Sequence, residues 1–140
     1  MTINEATTDE AVAGCFPVMQ QLRPALSVEE FVDRVRRQQE AGYRLAYLQQ
    51  NDAPVAVAGF RVLENLAWGR FLYVDDLVTT DDARSRGHGK RLFDWLLDEA
   101  KRLGCEQLHL DSGVQRFAAH RFYFRERMEI TSYHFAGQVP

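Results

Sequence analysis

Several things are scarce or missing in this chain, and each absence narrows what it can be. Cysteine is nearly missing: of 140 residues, only Cys15 and Cys105 carry thiols. Two thiols so far apart do not make a disulfide-stapled scaffold. With His88, His109, His120 and His134 they show no metal-ligand spacing, so no metal site is expected. No apolar run approaches the length of a bilayer-spanning helix, so no membrane association is expected. Residues Met1–Glu10 are polar and acidic and lack the basic-then-apolar order of a secretory signal, which leads to the expectation of a cytoplasmic protein. A basic surplus is missing as well: 17 Lys and Arg stand against 20 Asp and Glu, a formal net charge of −3. That balance argues against a nucleic-acid partner. Repeats, low-complexity tracts and linkers are absent, so the expectation is a single domain over 1–140.

What is present reads as an ordered alternation of elements. A helical segment is predicted from Thr8 to Leu22, with Thr7, Thr8 or Asp9 as its cap and a kink or split at Pro17. Ser27-Val-Glu-Glu30 is a capping box that starts a helix running to about Ala41 and stopping at Gly42. Tyr43–Gln49 and Pro54–Leu63 read as two strands of a hairpin turning at Asn51-Asp52. Phe71–Val78 is a further strand that carries the acidic pair Asp75 and Asp76. His88–Leu103 is an amphipathic helix with Leu92, Phe93, Leu96, Leu97, Ala100 and Leu103 as its apolar stripe and Gly104 as its stop. Gln107–Leu110 reads as a short strand, Phe117–Arg125 as a short helix and Ile130–Phe135 as a last strand. This order predicts an α+β, mixed α/β fold around one sheet.

The chemistry concentrates at Arg84-Ser-Arg-Gly-His-Gly89, between the acidic strand and the amphipathic helix. The opening amides of a helix have no internal partner and sit at the positive end of its dipole. A pyrophosphate fits there, provided the backbone can come close and adopt unusual φ. Gly87 and Gly89 supply that freedom, and Arg84, Arg86, Lys90 and Arg91 add positive charge. The P-loop pattern fails because Arg91 follows Gly89-Lys90, and the dinucleotide fingerprint fails because position 92 is Leu. What remains is Arg-x-x-Gly-x-Gly, and the pattern Gln/Arg-x-x-Gly-x-Gly/Ala on its own arises by chance in roughly one chain in ten of this length. Its setting between a strand and an amphipathic helix, flanked by four cations, makes it a phosphate cradle.

In these residues the chain resembles the GNAT superfamily of acetyl-CoA-dependent N-acetyltransferases. Tyr73–Thr79 followed by Arg84–Gly89 is similar to that family's acetyl-CoA motif, Gln107–Leu110 to its fifth strand, and Ala119-His-Arg-Phe-Tyr123 to its Ala-x-x-Phe-Tyr segment. Four positions depart from the family pattern: Arg116 stands for Asn, Arg127-Met128 for Gly-Phe, and Asp81 for Pro. The resemblance implies a mostly antiparallel sheet that splays between its fourth and fifth strands, flanked by about four helices. It implies acetyl-CoA as co-substrate, held by Leu77, Val78 and Thr79 along the pantetheine arm and by Arg84, Ser85, Arg86, Gly87, His88, Gly89 and Lys90 at the phosphates. It also implies Tyr123 as the acid for the leaving thiolate and Asp75 as the base, with Asp76 as the alternative. Only one of the two carboxylates is expected to face the cleft, since neighbouring strand residues point to opposite faces. The acceptor is expected to be a small-molecule amine; a protein amine, or a binding module without catalysis, are the other readings. A homodimer is common in the family.

Other groupings carry less. Asp111, Ser112 and His120 name the residue types of a hydrolase triad, but no Gly-x-Ser-x-Gly elbow is present. His109 reads as a packed histidine, His88 as a residue pointing to solvent, and Tyr43 and Trp68 as core or acceptor-pocket lining.

Overall fold

A computed structural model describes residues 2–80 and 87–140. The chain divides into two compact units, Met1–His109 and Leu110–Pro140.

The first unit is built on a sheet in the order β1-β2-β3-β4-β5. β1 (Thr2–Glu5), β2 (Arg44–Gln50), β3 (Ala53–Asn65) and β4 (Gly69–Thr79) pair as antiparallel neighbours. β5 (Gln107–Leu110) returns parallel to β4 through α4 (His88–Arg102). β1 was not anticipated from the sequence. The β2–β3 hairpin turns on Asn51 and Asp52, at φ 53° and 63°. Positive φ at both central residues is what a tight two-residue hairpin loop requires, and Asn and Asp tolerate it.

The predicted helix Thr8–Leu22 is two short ones, α1 (Asp9–Gly14) and α2 (Phe16–Met19). The split falls at Cys15, so that Pro17 lies in the first turn of α2. Its missing N–H costs nothing there. Thr8 caps α1 through its hydroxyl. In α3 (Val28–Glu40) both hydrogen bonds of the Ser27–Glu30 capping box form. Gly42 ends α3 at φ 105°, while the N–H groups of Gly42 and Tyr43 return to Gln39 and Gln38. That is a Schellman stop.

Alternation along the strands gives the sheet two faces. Leu45, Val57 and Val78 join Val12, Val18, Met19, Phe31 and Val35 in a core under α1–α3. Buried Phe60 faces the other way and meets Trp95 of α4 edge-on at 5.8 Å. β5 has four residues and β4 eleven. Glu106 N–H bonds the carbonyl of Arg70, near the start of β4. The short strand therefore runs out while β4 continues towards Thr79, and there the sheet splays.

In the second unit α5 (Phe117–Arg125) forms as expected, giving five helices among the described residues rather than about four. Ile130–Phe135 is not a strand: residues 128–140 form no regular element. β-like composition alone does not make a strand, because a strand also needs a ladder for its backbone groups, and among the described residues this segment forms none.

Candidate active site

The site is built on β4. Phe60 pairs with Val74 and Gly59 with Asp76, so Asp75 is an extra residue without an opposite number. This bulge breaks the two-residue alternation. It corrects the expectation that the two carboxylates point apart. Both turn to the face covered by α3, where each meets an arginine.

Arg61 grips Asp75 with a bidentate fork, Nε to Oδ1 at 3.1 Å and Nη2 to Oδ2 at 2.9 Å. The same Nη2 donates to Gln38 of α3 at 2.8 Å, and the guanidinium lies 5.3 Å over the Tyr43 ring. Arg23, just past α2, donates to Asp76 Oδ1 from Nε (3.0 Å) and Nη2 (2.8 Å) and to the Asp75 carbonyl (3.3 Å). Buried Tyr43 donates its hydroxyl to Asp76 Oδ2 at 2.8 Å. Gly59 makes room for this: a Cβ there would collide with the Tyr43 hydroxyl. Tyr43 therefore lines this cluster, while Trp68 lies apart from it.

The electrostatics of the pair follow from this packing. Burial pushes the Asp75 carboxyl above the usual aspartate range, and the Arg61 hydrogen bonds pull against it. Burial also holds the Tyr43 phenol well above its ordinary value, reinforced by the charge of Asp76. A carboxylate with a raised pKa is a better proton acceptor near neutral pH than an exposed one.

Beyond the acidic pair, Leu77, Val78 and Thr79 pair with Ala58, Val57 and Ala56 on the β3 side. Arg84, Ser85 and Arg86 lie outside the described residues. Gly87 is the N-cap of α4, with φ 78° and ψ 12°. A Cβ there would meet nothing within 4 Å, so the glycine supplies left-handed backbone. Gly87 has no side chain to cap α4, and the start of a helix suits a phosphate group. Gly89 follows within the first turn, and Lys90 reaches Asp94 at 3.4 Å.

His88 does not point to solvent. It is buried, and among the described residues its Nδ1 has no partner. The stripe of α4 explains this, because His88 stands one turn before buried Leu92 and two before Leu96. Leu97, counted in that stripe, is instead exposed.

Tyr123 lies on α5, and burial raises its phenol above the ordinary value of 10.0 against the pull of Arg116. Such a group stays protonated at neutral pH and can donate. Just beyond it, Arg127 takes φ 65°, and the N–H groups of Arg127 and Met128 bond Phe124 and Tyr123. The Schellman stop forms although arginine stands where the family often has glycine.

The weaker groupings dissolve. His120 Nε2 lies 2.8 Å from the Gly113 carbonyl, and Asp111 lies 3.4 Å from His134. Neither contact builds a triad around Ser112. His109 stacks on Trp68 at 3.7 Å and meets Phe71 edge-on. Among the described residues no cluster of three or more His, Cys, Asp or Glu could hold a metal, and no helix is long and apolar enough to cross a membrane. Sequence reasoning missed Arg23, Arg61 and Gln38. The one available signal was that two adjacent acids in a strand of buried residues need cationic partners.

A model of the acetyltransferase (GNAT) family matches residues 8–128. The chain is 37% identical over 122 residues to the protein named uncharacterized N-acetyltransferase YhdJ of Bacillus subtilis (strain 168), covering 86% of each. It is 32% identical over 62 residues to the aminoalkylphosphonate N-acetyltransferase of Salmonella typhimurium, covering 44% of this chain and 40% of that one. The solved aminoglycoside N-acetyltransferase AAC(6')-Iy in complex with CoA shares the fold, with a TM-score of 0.87 at 11% identity over 99% of this chain and 93% of that one.

Proposed function

The chain belongs to the GNAT family of acetyltransferases, and from that premise we propose that it moves the acetyl group of acetyl-CoA to a primary amine of a small molecule, by direct attack in a ternary complex. Acetyl-CoA supplies the activated acyl thioester. Gly87, His88, Gly89 and Lys90, with Arg84, Ser85 and Arg86, hold its phosphates. The backbone of Leu77, Val78 and Thr79 takes the pantetheine arm as an added strand. Asp75, with Asp76 beside it, accepts the proton that the amine must lose before it can attack. Tyr123 gives a proton to the leaving thiolate. No metal takes part, and the proposed setting is cytoplasmic.

The observation that carries this reading is the bulge at Asp75. It brings a half-buried carboxylate of raised pKa onto one face with Asp76, on the strand that leads into the α4 turn. The preference for a small acceptor is supported by the aminoalkylphosphonate and aminoglycoside acetyltransferases among its relatives.

The test is thiol release from acetyl-CoA against a panel of small amines and lysine-bearing peptides. Turnover is expected with a small amine. Turnover with peptides alone would point to a protein acceptor, and binding of acetyl-CoA without turnover to a non-catalytic module. Tyr123→Phe is expected to lower kcat by ~100-fold with little change in acetyl-CoA affinity. A fully active variant would mean another group protonates the thiolate.

A further inference from the structure

Asp75 is the bulged residue of β4 and has no opposite number on β3. Register does not hold a bulged residue, so something else must set the direction of its side chain. Arg61 is held by register, because it pairs with Tyr73 on a regular stretch of the β3–β4 ladder. Its guanidinium is held in addition by Gln38 of α3, at 2.8 Å, and lies over the Tyr43 ring. A fork fixed from several elements therefore grips a carboxylate that its own strand leaves loose.

The grip leaves Asp75 usable. Each of its oxygens takes one donor from Arg61, and a carboxylate has about four acceptor sites. Asp76 is the more closed of the pair. Arg23 places two donors on its Oδ1, and Tyr43 places one on Oδ2. Reach differs in the same sense: the Asp75 side chain is 27% exposed and that of Asp76 14%.

We propose that Arg61 is the positioning residue for the base: it aims the Asp75 carboxylate at the acceptor amine, while Asp76 holds Tyr43 and Arg23 in place. The role rests on the reading of Asp75 as base. In the transfer an amine N–H bond breaks and an O–H bond forms at a free Asp75 site. The charge of Arg61 stays beside a carboxyl that is then neutral. That charge also governs when the carboxylate is available. Around Asp75 stand Arg61 from β3, Asp76 from β4, Arg23 from behind α2 and Tyr43 from ahead of β2, with uncharged Gln38 from α3 on Arg61. Burial pushes Asp75 up, and Arg61 is the strongest pull against it. Losing Arg61 must therefore move the titration of Asp75 to higher pH.

Carbon-13 NMR of the aspartate carboxyls reads this in the protein without substrate, with Asp75→Asn identifying the Asp75 signal. Arg61→Gln is expected to raise the pH at which Asp75 titrates by about one unit. With the most active amine of the panel, kcat should fall ~10-fold at unchanged KM for acetyl-CoA. Arg61→Lys keeps the charge and gives up the fork, so its titration stays near that of the parent while kcat falls as far. An arginine of structural value alone would lower the melting temperature and move neither reading. An Asp75 signal that titrates unmoved in Arg61→Gln, or full kcat in Arg61→Lys, overturns the positioning role and leaves Asp75 as base. Full turnover by Asp75→Asn overturns the base assignment, and the role with it. Should Arg61→Gln not fold, kcat of Arg61→Lys decides alone.

Discussion

Two knots of arginine and carboxylate are built from the same materials and behave in opposite ways. One lies under α3, where Arg61 and Arg23 hold Asp75 and Asp76. The other lies by α4, where buried Glu99 takes Arg44 Nη2 at 2.8 Å and Arg102 Nε at 2.7 Å, and Arg44 also reaches Glu5 at 2.7 Å. Burial dominates at Asp75 and raises its pKa, despite a bidentate arginine. The hydrogen bonds of Arg102, followed by those of Arg44, dominate at Glu99 and lower its pKa against burial. An ion pair therefore does not by itself mark a structural or a catalytic carboxylate. The sign depends on whether desolvation or donors prevail. At Glu99 the donors converge on a helix side chain and lock it as an anion. At Asp75 the bulge carries the carboxylate into the packed face of the sheet, where its charge is less well compensated.

The largest expected effect breaks the comparison at Asp75. Asp75→Asn is expected to lower kcat/KM by ~100-fold at neutral pH. In the parent the acidic limb of the rate profile rises as pH climbs through a pKa above the usual aspartate range, because a base must be deprotonated to accept. In the variant that limb flattens. If Asp76→Asn flattens it instead, Asp76 is the base. Glu99→Gln is expected to do the reverse: an unchanged rate profile and a stability loss of about 2 kcal/mol in chemical denaturation. Its lowered folded-state pKa means that Glu99 contributes stability above the ordinary glutamate value of 4.5, a contribution lost as pH falls through the lower folded value. A fall in rate that matched the fall in stability would erase the distinction between the knots.

Much of the frame was legible in the sequence because local rules decided it. The Ser27–Glu30 box, the Gly42 and Gly104 stops and the Asn51-Asp52 turn each satisfy backbone groups within a few residues. What failed depends on distant partners. β1 is four largely exposed residues whose strand character comes only from pairing with β2. The bulge exists only in register with β3, so no inspection of Asp75-Asp76 alone shows both carboxylates on one face. Arg23 lies 53 positions from the carboxylate it holds. His88 was legible and missed: extending the α4 stripe back by one turn lands on it. The Arg84–Gly89 motif is legible in the sequence, and the described residues put Gly87 at the N-cap of α4 and Gly89 in its first turn.

The smallest effect is the sharpest probe of why the two knots differ. Arg102 is mostly exposed, yet its hydrogen bonds are the first cause of the lowered Glu99 pKa. Surface ion pairs contribute little on average, because water and salt screen them. Arg102→Ala is therefore expected to lower the neutral-pH melting temperature only slightly and to leave the rate untouched. What should move is the acid flank. With Arg102 gone, Arg44 and burial oppose each other at Glu99, and its folded-state pKa rises towards the ordinary value. The pH dependence of unfolding between neutrality and acid should then become shallower, since the folded and unfolded carboxyls bind protons at more similar pH. An unaltered acid flank would mean that Arg44 alone sets the charge of Glu99. The contrast with Asp75 would then rest on what Arg44 does for Glu99 and Arg61 does not do for Asp75, each with one arginine to answer burial.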